Sequence, residues 1–246
     1  MLRSVDPSDG SVVRTTILDG NQAGPAVTFA GVEDETCALR GFTIRNGSAG
    51  TGGGILGGTA VHRSQAIIES NIIAGNTASS NGGGLAYCDG ILQNNLIVNN
   101  SAGSGGGGLY TCGGAIRNNT VYGNAAGSVG GGLHTCTGPV SNCILWANTA
   151  FTAGPQLWAS NAVSYCCVQG GVGGEGNIAD HPRFLDPDGP DNDPQTYPDN
   201  DYHLWVGSFC VDGGKNDPWM TGAVDLDGNA RILQGRDSGT VDIGVY

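Results

Sequence analysis

The feature of this chain that most restricts its fold is a repeat of 24 residues. The motif Gly-Gly-Gly-Leu occurs at 82–85, 106–109 and 130–133, and each copy follows the previous one at that interval. Further columns of like residues keep the same spacing. They are cysteines (Cys88, Cys112, Cys136), asparagines (Asn71, Asn95, Asn119; Asn76, Asn100, Asn124, Asn148) and apolar residues (Ile68, Leu92, Ile116, Val140; Ile73, Ile97, Val121, Leu145). Such a strict repeat predicts identical structural units that stack on one another.

The residues inside each unit indicate β-structure. No segment shows the spacing of apolar residues that is typical of an amphipathic helix. Short runs of β-branched residues end at Asn or Gly, which accept the backbone conformations of tight bends. We therefore predict an all-β fold, a parallel β-helix or solenoid with coils of about 24 residues, stacked about 4.8 Å apart through backbone hydrogen bonds.

The repeat pattern also predicts the domain organisation. The leucine column extends from Val61 to Leu157, and we expect coils over residues 1–180. Residues 181–246 begin with an Asp-rich loop and form an irregular C-terminal cap that packs on the last coil. The first residues resemble neither a signal peptide nor a cap. We expect that the chain was cut from a longer one or that another molecule covers its first coil, and an open end favours self-association through the ends of the β-helix.

The charge balance excludes several classes of partner. Asp and Glu number 22 against 10 Lys and Arg, giving a net charge of −12, and Lys215 is the single lysine. Nucleic-acid binding requires a basic surface, so we expect no nucleic-acid partner. Polybasic attachment to a membrane is disfavoured for the same reason. No apolar run approaches the roughly 20 residues of a membrane span.

A series of short motifs in the second half of the chain carries a family resemblance. In order, they are Cys-Ile-Leu-Trp-Ala-Asn-Thr (143–149), Pro-Gln-Leu (155–157), Val-Ser-Tyr-Cys-Cys-Val-Gln-Gly (163–170), Asp-Tyr-His-Leu (201–204), Gly-Ser-Phe-Cys-Val-Asp (207–212) and Asp-Leu-Asp-Gly-Asn (225–229). From about Asn46 onwards the chain resembles the extracellular right-handed parallel β-helix repeat proteins called choice-of-anchor Q proteins. The resemblance implies a right-handed coil and a secreted or cell-surface location. The fold of that family is similar to that of pectate lyases, but a shared fold transfers no activity.

Two groups of aspartates are candidate metal ligands. They are Asp186, Asp188, Asp191 and Asp193 in the Asp-rich loop, and Asp225 and Asp227 near the C-terminus. Carboxylates at alternating positions around a Gly turn are typical Ca²⁺ ligands, and crowded carboxylates repel one another unless they are screened. Three interpretations follow: a solvated acidic turn, a structural Ca²⁺ site, or a catalytic Ca²⁺ that bridges an acidic sugar.

Two rows of aromatic residues are candidates for carbohydrate binding. His62, Tyr110, His134 and Trp158 follow the leucine column, and Tyr122 and Trp146 follow the Ile73 column. Side chains alternate along a strand, so residues next to an inward column point outward. These rings either stack on sugar rings or pack beneath a loop or a neighbouring subunit.

The cysteines and three asparagines allow further interpretations. Cysteines in one column lie within disulfide reach, although stacked free thiols that act as small hydrophobes are the simpler expectation for Cys88, Cys112 and Cys136. Cys143, Cys166 and Cys167 lie close together, and one pair there is a candidate for oxidation. Asn46, Asn99 and Asn118 match the N-glycosylation pattern, which Asn-rich turns also produce through composition alone.

The sequence gives little support for catalysis. Glycoside hydrolases of this fold need two or three converging carboxylates, whereas residues 51–149 contain only Glu69 and Asp89. Lyases need a base beside a Ca²⁺ site, and no acidic column accompanies Arg63 or Arg117. We therefore predict a non-catalytic extracellular scaffold, a surface or fibre-forming protein that stacks end to end. The alternatives are a carbohydrate-binding module and a polysaccharide-cleaving enzyme, either a Ca²⁺-dependent lyase or a glycoside hydrolase.

Overall fold

A computed structural model describes residues 1–160, 162–194, 196–232 and 239–246. The first elements are β1 (Leu2–Arg3), α1 (Gly10–Thr15), β2 (Ile17–Asp19), β3 (Val27–Thr28), β4 (Ala38–Arg40), β5 (Thr43–Arg45), β6 (Ser48–Thr51) and β7 (Ile55–Leu56). The regular repeats contain β8 (Ile67–Glu69), β9 (Ile72–Ala74), β10 (Thr77–Asn81), β11 (Leu85–Ala86), β12 (Leu92–Gln93), β13 (Leu96–Val98), β14 (Ser101–Ala102), β15 (Leu109–Tyr110), β16 (Ile116–Arg117), β17 (Thr120–Tyr122), β18 (Ala125–Ala126), β19 (Leu133–His134), β20 (Val140–Ser141), β21 (Ile144–Trp146) and β22 (Thr149–Ala150). The remaining elements are β23 (Leu157–Trp158), β24 (Val163–Ser164), β25 (Cys167–Val168), β26 (Phe184–Asp186), β27 (Asp201–Leu204) and two 3₁₀ helices, Tyr197–Asp199 and Pro218–Met220.

Each complete coil contributes one short strand to each of four parallel sheets, and the first and last coils contribute to some of them. Sheet 1 contains β1, β4, β8, β12, β16, β20 and β24, and sheet 2 contains β2, β5, β9, β13, β17, β21 and β25. Sheet 3 contains β6, β10, β14, β18 and β22, and sheet 4 contains β3, β7, β11, β15, β19 and β23. The predicted all-β parallel solenoid with coils of about 24 residues is therefore confirmed. None of the helices within the described ranges has the length and apolar character needed to span a membrane.

The strand register confirms the columns of the repeat. Leu85 pairs with Leu109, which pairs with Leu133, and all three side chains are fully buried in one interior row. At the N-terminal end, Leu85 pairs with Ile55, so the column does not continue to Val61 as the spacing predicted. Val61 is 82% exposed, because the additional residues between β7 and β8 leave the coil as a loop.

The Gly-Gly-Gly segments arise from a corner where successive coils approach closely. Gly106, the first glycine of its motif, has a φ of +68°, which disfavours residues with a side chain. A Cβ atom on Gly107 would lie 2.4 Å from the carbonyl oxygen of Ala125 and 2.5 Å from that of Gly131. The motif therefore serves the packing of this corner.

Two buried ladders of asparagine side chains, formed by the two asparagine columns of the repeat, support the corners on either side of sheet 2. In the ladder that contains Asn76 and Asn100, the side-chain oxygen of Asn100 accepts hydrogen bonds from the backbone and side-chain nitrogens of Asn76, at 3.0 and 2.9 Å. Its Nδ2 donates to the Ile73 carbonyl oxygen and to Oδ1 of Asn124, both at 2.9 Å. Because the same bonds recur at each rung, the asparagine columns satisfy backbone groups that the bends would leave unpaired.

The C-terminal region lies along the side of the solenoid. Leu226, Ile243 and Val245 join an apolar cluster with Leu96 and Ile144, which point outward from sheet 2. The end of the last coil is instead approached by residues 170–179, where Ile178 extends sheet 2 beside Cys167 and Val172 packs against the inner core. The C-terminal region therefore covers the apolar outer face of sheet 2 along its length, including Cys167 of the last coil.

Candidate functional site

The outer face of sheet 4 carries a row of aromatic side chains. Tyr110 pairs in register with His134, and His134 pairs with Trp158. Tyr110 and His134 are half-buried, and Trp158 is 44% exposed. Tyr87, at the corner beside this face, lies with its ring centroid 5.7 Å from that of Tyr110. We call these four residues the aromatic wall.

Contacts between the rings hold three members of the aromatic wall, Tyr87, Tyr110 and His134, in place. The rings of Tyr110 and His134 are 5.2 Å apart and inclined at 68°, and those of Tyr87 and Tyr110 are inclined at 67°. This edge-to-face geometry is favourable, but it makes the wall a series of separate ring surfaces rather than one flat platform. Burial lowers the pKa of His134, so its imidazole is neutral at neutral pH.

His62 does not belong to the row in which the sequence placed it. It lies in the exposed loop between β7 and β8. The position in register with Ala86 is occupied by Leu56. The prediction for His62 is therefore corrected, and the cause is the insertion that also displaces Val61.

The second predicted aromatic row is in register but covered. Tyr122 pairs with Trp146 on the outer face of sheet 2. The centroid of the Tyr122 ring lies 5.6 Å from that of Phe184 and 5.3 Å from that of Tyr202, and the ring centroids of Trp146 and His181 are 5.2 Å apart. These partners belong to the C-terminal region, so Tyr122 and Trp146 pack beneath it and do not form an exposed sugar-binding surface.

The predicted calcium ligands lie in two places, the Asp-rich loop and the turn at 225–229. Among the residues described, no group of three or more His, Cys, Asp or Glu side chains is arranged to hold a metal ion. Burial and the neighbouring charge of Asp188 raise the pKa of Asp186. Asp191 accepts hydrogen bonds from the Asp193 backbone at 2.9 Å and from the Thr196 hydroxyl at 2.7 Å. These carboxylates therefore lie in an acidic loop ordered partly by its own backbone.

The second aspartate group has structural partners. Asp225 accepts hydrogen bonds from the backbone nitrogens of Asp227 and Asn229, at 2.9 and 2.8 Å, and so closes a turn. Asp227 Oδ2 lies 2.6 Å from Nε2 of His203, whose Nδ1 lies 2.5 Å from Asp201 Oδ1. The bond to Asp227 is the main cause that raises the pKa of His203, and it lowers the pKa of Asp227.

His203 is a central residue that sequence reasoning missed. Its ring stacks on that of Tyr246 with centroids 4.0 Å apart, and the Tyr246 hydroxyl accepts a hydrogen bond of 3.0 Å from Arg14. The two aspartate partners and Arg14 come from separate segments, so this cluster fastens the C-terminal region to the beginning of the solenoid. The only sequence signal is the Asp-Tyr-His motif at 201–203.

The acidic residues of the repeats are held in separate pairs. Glu69 forms an ion pair with Arg40 at 3.0 Å. Asp89 pairs with Arg63 at 3.5 Å and accepts a hydrogen bond of 2.7 Å from the backbone of Gly113. The structure therefore assigns Glu69 and Asp89 to different local contacts.

Two further basic residues, Arg117 and Lys215, line a polar groove beside sheet 1. The groove measures about 410 Å³ and is lined by Arg117, Ser141, Ser164 and Lys215. The Arg117 side chain donates to Gln93 at 2.8 Å and lies over the ring of Trp219 at 4.3 Å. Sequence reasoning considered Arg117 only as a lyase base and did not predict the groove.

The three glycosylation candidates occupy corners of the coils. Asn46, Asn99 and Asn118 all have φ angles between 51° and 54°. Asn46 Nδ2 donates to Asp19, Asn99 Nδ2 donates to the Pro194 carbonyl oxygen, and Asn118 is fully buried. The prediction for Asn118 is corrected, because a glycan does not fit at a side chain with no exposed surface.

Comparison with known proteins gives no assignment. No protein-family model matches the chain, and no curated protein matches it. The structure therefore supports the resemblance found in the sequence at the level of a parallel β-solenoid.

Proposed function

We propose that this protein is a non-catalytic, secreted or cell-surface β-solenoid that binds polysaccharide on its aromatic wall. The observation that carries the proposal is the register of Tyr110, His134 and Trp158 on the outer face of sheet 4, where Trp158 is 44% exposed. The corresponding row on sheet 2 lies beneath the C-terminal region. Of the two predicted aromatic rows, the one in the aromatic wall is therefore the row that a ligand can reach.

The wall has the chemical character of a sugar-binding surface. Aromatic rings combine an apolar body with, in tyrosine and tryptophan, a polar group, and binding sites typically add a few polar groups to an apolar lining. The half-buried residues Thr111 and Thr135 directly follow Tyr110 and His134 and add hydroxyl groups at the corner beside this face. At about 4.8 Å per coil, the distance from Tyr110 to Trp158 is about 10 Å along the stack, which suits an extended chain ligand.

The family resemblance supports the extracellular part of this proposal. The motifs at 163–170, 201–204 and 207–212 are among those that resemble choice-of-anchor Q proteins. Membership of that family and a right-handed coil are parts of the proposal.

Binding to a panel of neutral and acidic polysaccharides tests the function directly. We expect retardation of the wild-type protein in affinity gel electrophoresis with at least one polysaccharide and its loss in Trp158→Ala. Trp205→Ala is the matched control, because Trp205 is 48% exposed but lies in the C-terminal region over Arg183. The absence of binding to the whole panel, or equal retardation of wild type and Trp158→Ala, would contradict the proposal.

Self-association through the edge formed by β1, β2 and β3 is a second candidate function. These strands are terminal in their sheets, and such edges are templates for strand addition. Leu2 in β1 is 55% exposed and Ile17 in β2 is 40% exposed, so apolar side chains accompany this edge. We expect light scattering to show concentration-dependent assembly that Leu2→Lys reduces. A monomer at all concentrations would refute this candidate.

A further inference from the structure

Cys167 and Cys210 are the two cysteines with which the other six are compared. Of these six, five have roles within the stack, and the sixth, Cys37, is half-buried near the beginning of the chain. Cys88, Cys112 and Cys136 form an interior column that continues the position of Ser64 and ends at Ser160, whose hydroxyl accepts the Cys136 backbone hydrogen bond at 3.0 Å. Cys143 and Cys166 extend an asparagine ladder: the Asn119 backbone donates to Cys143 Sγ at 3.5 Å, and the Cys143 backbone donates to Cys166 Sγ at 3.3 Å. Their sulfur atoms replace amide oxygens in the ladder, which explains them without oxidation.

Cys167 and Cys210 are placed differently. Cys166 belongs to the inner core, whereas Cys167, the next residue of the chain, belongs to the cluster between sheet 2 and the C-terminal region. Cys210 enters the same cluster from the C-terminal region, and both side chains have no exposed surface. Their thiol groups lie within hydrogen-bonding reach of each other. This pair joins two parts of the protein that are 43 positions apart in sequence.

We propose that Cys167 and Cys210 are a disulfide-forming pair, oxidised by a low-molecular-weight disulfide to lock the C-terminal region onto the solenoid. The thiolate of one cysteine attacks the oxidant, releases one small thiol and forms a mixed disulfide. The second cysteine then attacks the protein sulfur of the mixed disulfide and releases the second small thiol. The two protein thiols lose two electrons and two protons, and the oxidant is reduced to two thiols.

Local contacts distinguish the two thiols and fix their positions. Contact with Cys167 lowers the pKa of Cys210, and the Cys167 thiol donates a hydrogen bond of 3.2 Å to the Asp180 carbonyl oxygen. The backbone nitrogen of Cys210 donates to the Ser208 hydroxyl at 3.1 Å, and its carbonyl oxygen accepts from Ile243 at 2.9 Å. These bonds fix the backbone of Cys210 beside Cys167. Because both thiols are fully buried in the closed fold, oxidation takes place during folding, before the C-terminal region closes over sheet 2.

Tryptic peptide mapping of the full chain tests the proposal. Cleavage after Arg183 and Lys215 leaves Cys210 as the single cysteine of peptide 184–215, and Cys167 lies in peptide 118–183. After the protein is refolded with oxidised and reduced glutathione and its free thiols are alkylated, we expect these peptides to be joined, with fragments that separate Cys166 from Cys167. Recovery of peptide 184–215 with alkylated Cys210 from the folded protein would overturn the proposal.

Three serine variants separate this pair from its neighbours. The joined peptides should be absent in Cys167→Ser and Cys210→Ser and present in Cys166→Ser, the adjacent residue that faces inward. Reductant should lower the Tm of oxidised wild type and leave that of Cys210→Ser unchanged. A joined peptide that persists in Cys167→Ser would refute the assignment, and the wild-type map decides the question if a variant fails to fold. The outcome does not depend on polysaccharide binding.

Discussion

Replacement of Asn100 by alanine tests how far the buried asparagine ladder stabilises the solenoid. The substitution removes four hydrogen bonds, two from Asn76 and two donated by Asn100 Nδ2 to Ile73 and Asn124. At a net value of about 1 kcal/mol per hydrogen bond, the free energy of unfolding should fall by about 4 kcal/mol. The loss is concentrated at the backbone N–H of Asn76, because this buried donor loses its acceptor.

Urea denaturation followed by circular dichroism measures this change in the free energy of unfolding. Ser101→Ala is the matched control, since the neighbouring Ser101 hydroxyl makes only a 3.5 Å contact with Thr77, and its effect should stay within about 0.5 kcal/mol. Asn100→Asp keeps the size of the side chain but replaces the donor by an acceptor, so it should destabilise at least as strongly as alanine. A decrease of less than about 1 kcal/mol for Asn100→Ala would refute the reasoning, since that is the value of one hydrogen bond.

Three further predictions concern the glycine corner, the histidine cluster and the acidic loop. Gly107→Ala should lower the free energy of unfolding by about 1–3 kcal/mol or more, seen as a lower urea midpoint, because its Cβ would clash with two carbonyl oxygens. Gly50→Ala is the control and should have little effect, because the space around Gly50 is open. The pKa of His203 is raised in the folded state, so its contribution to stability is fully present below the unfolded pKa of about 6.5 and is lost as pH rises through the folded value. The Tm advantage of wild type over His203→Gln should therefore shrink between about pH 6 and about pH 9, which bracket the titration. An equal advantage at both pH values would contradict the ion pairs. The calcium site of the Asp-rich loop stays a prediction: the charge of Asp188 raises the pKa of Asp186, so a bound Ca²⁺ that screens these carboxylates should raise the Tm more than sodium chloride of equal ionic strength. Asp188→Asn should abolish the difference, and equal effects of the two salts on wild type would refute the site.

The periodic part of the chain was predictable from sequence because every coil repeats the same bonds. The spacing placed Leu85 above Leu109 and put Tyr110, His134 and Trp158 on an outer face. The prediction was wrong at His62, because an insertion leaves the coil as a loop and shifts the spacing of the repeat. The insertion does not change the residue types around it, so the sequence did not reveal it.

The irregular part of the chain gave no comparable signal. His203 and Asp227 meet through the folding of two segments that lack a period, and their pairing depends on the path of the C-terminal region. That path follows the apolar outer residues of sheet 2, such as Leu96 and Ile144. The sequence predicted an aromatic row on this outer face, but it did not indicate whether the row binds sugar or packs beneath another part of the protein.

The position of the C-terminal region sets a limit on how this molecule can change in length. A duplication of 24 residues, such as 82–105, would keep every ladder in register and add one coil about 4.8 Å high. The same region, however, binds Arg14 through Tyr246 near the first coils and meets Cys167 through Cys210 at the last coil. An added coil would separate these two attachment points, so the segment that covers the flank also determines how many coils the protein can contain.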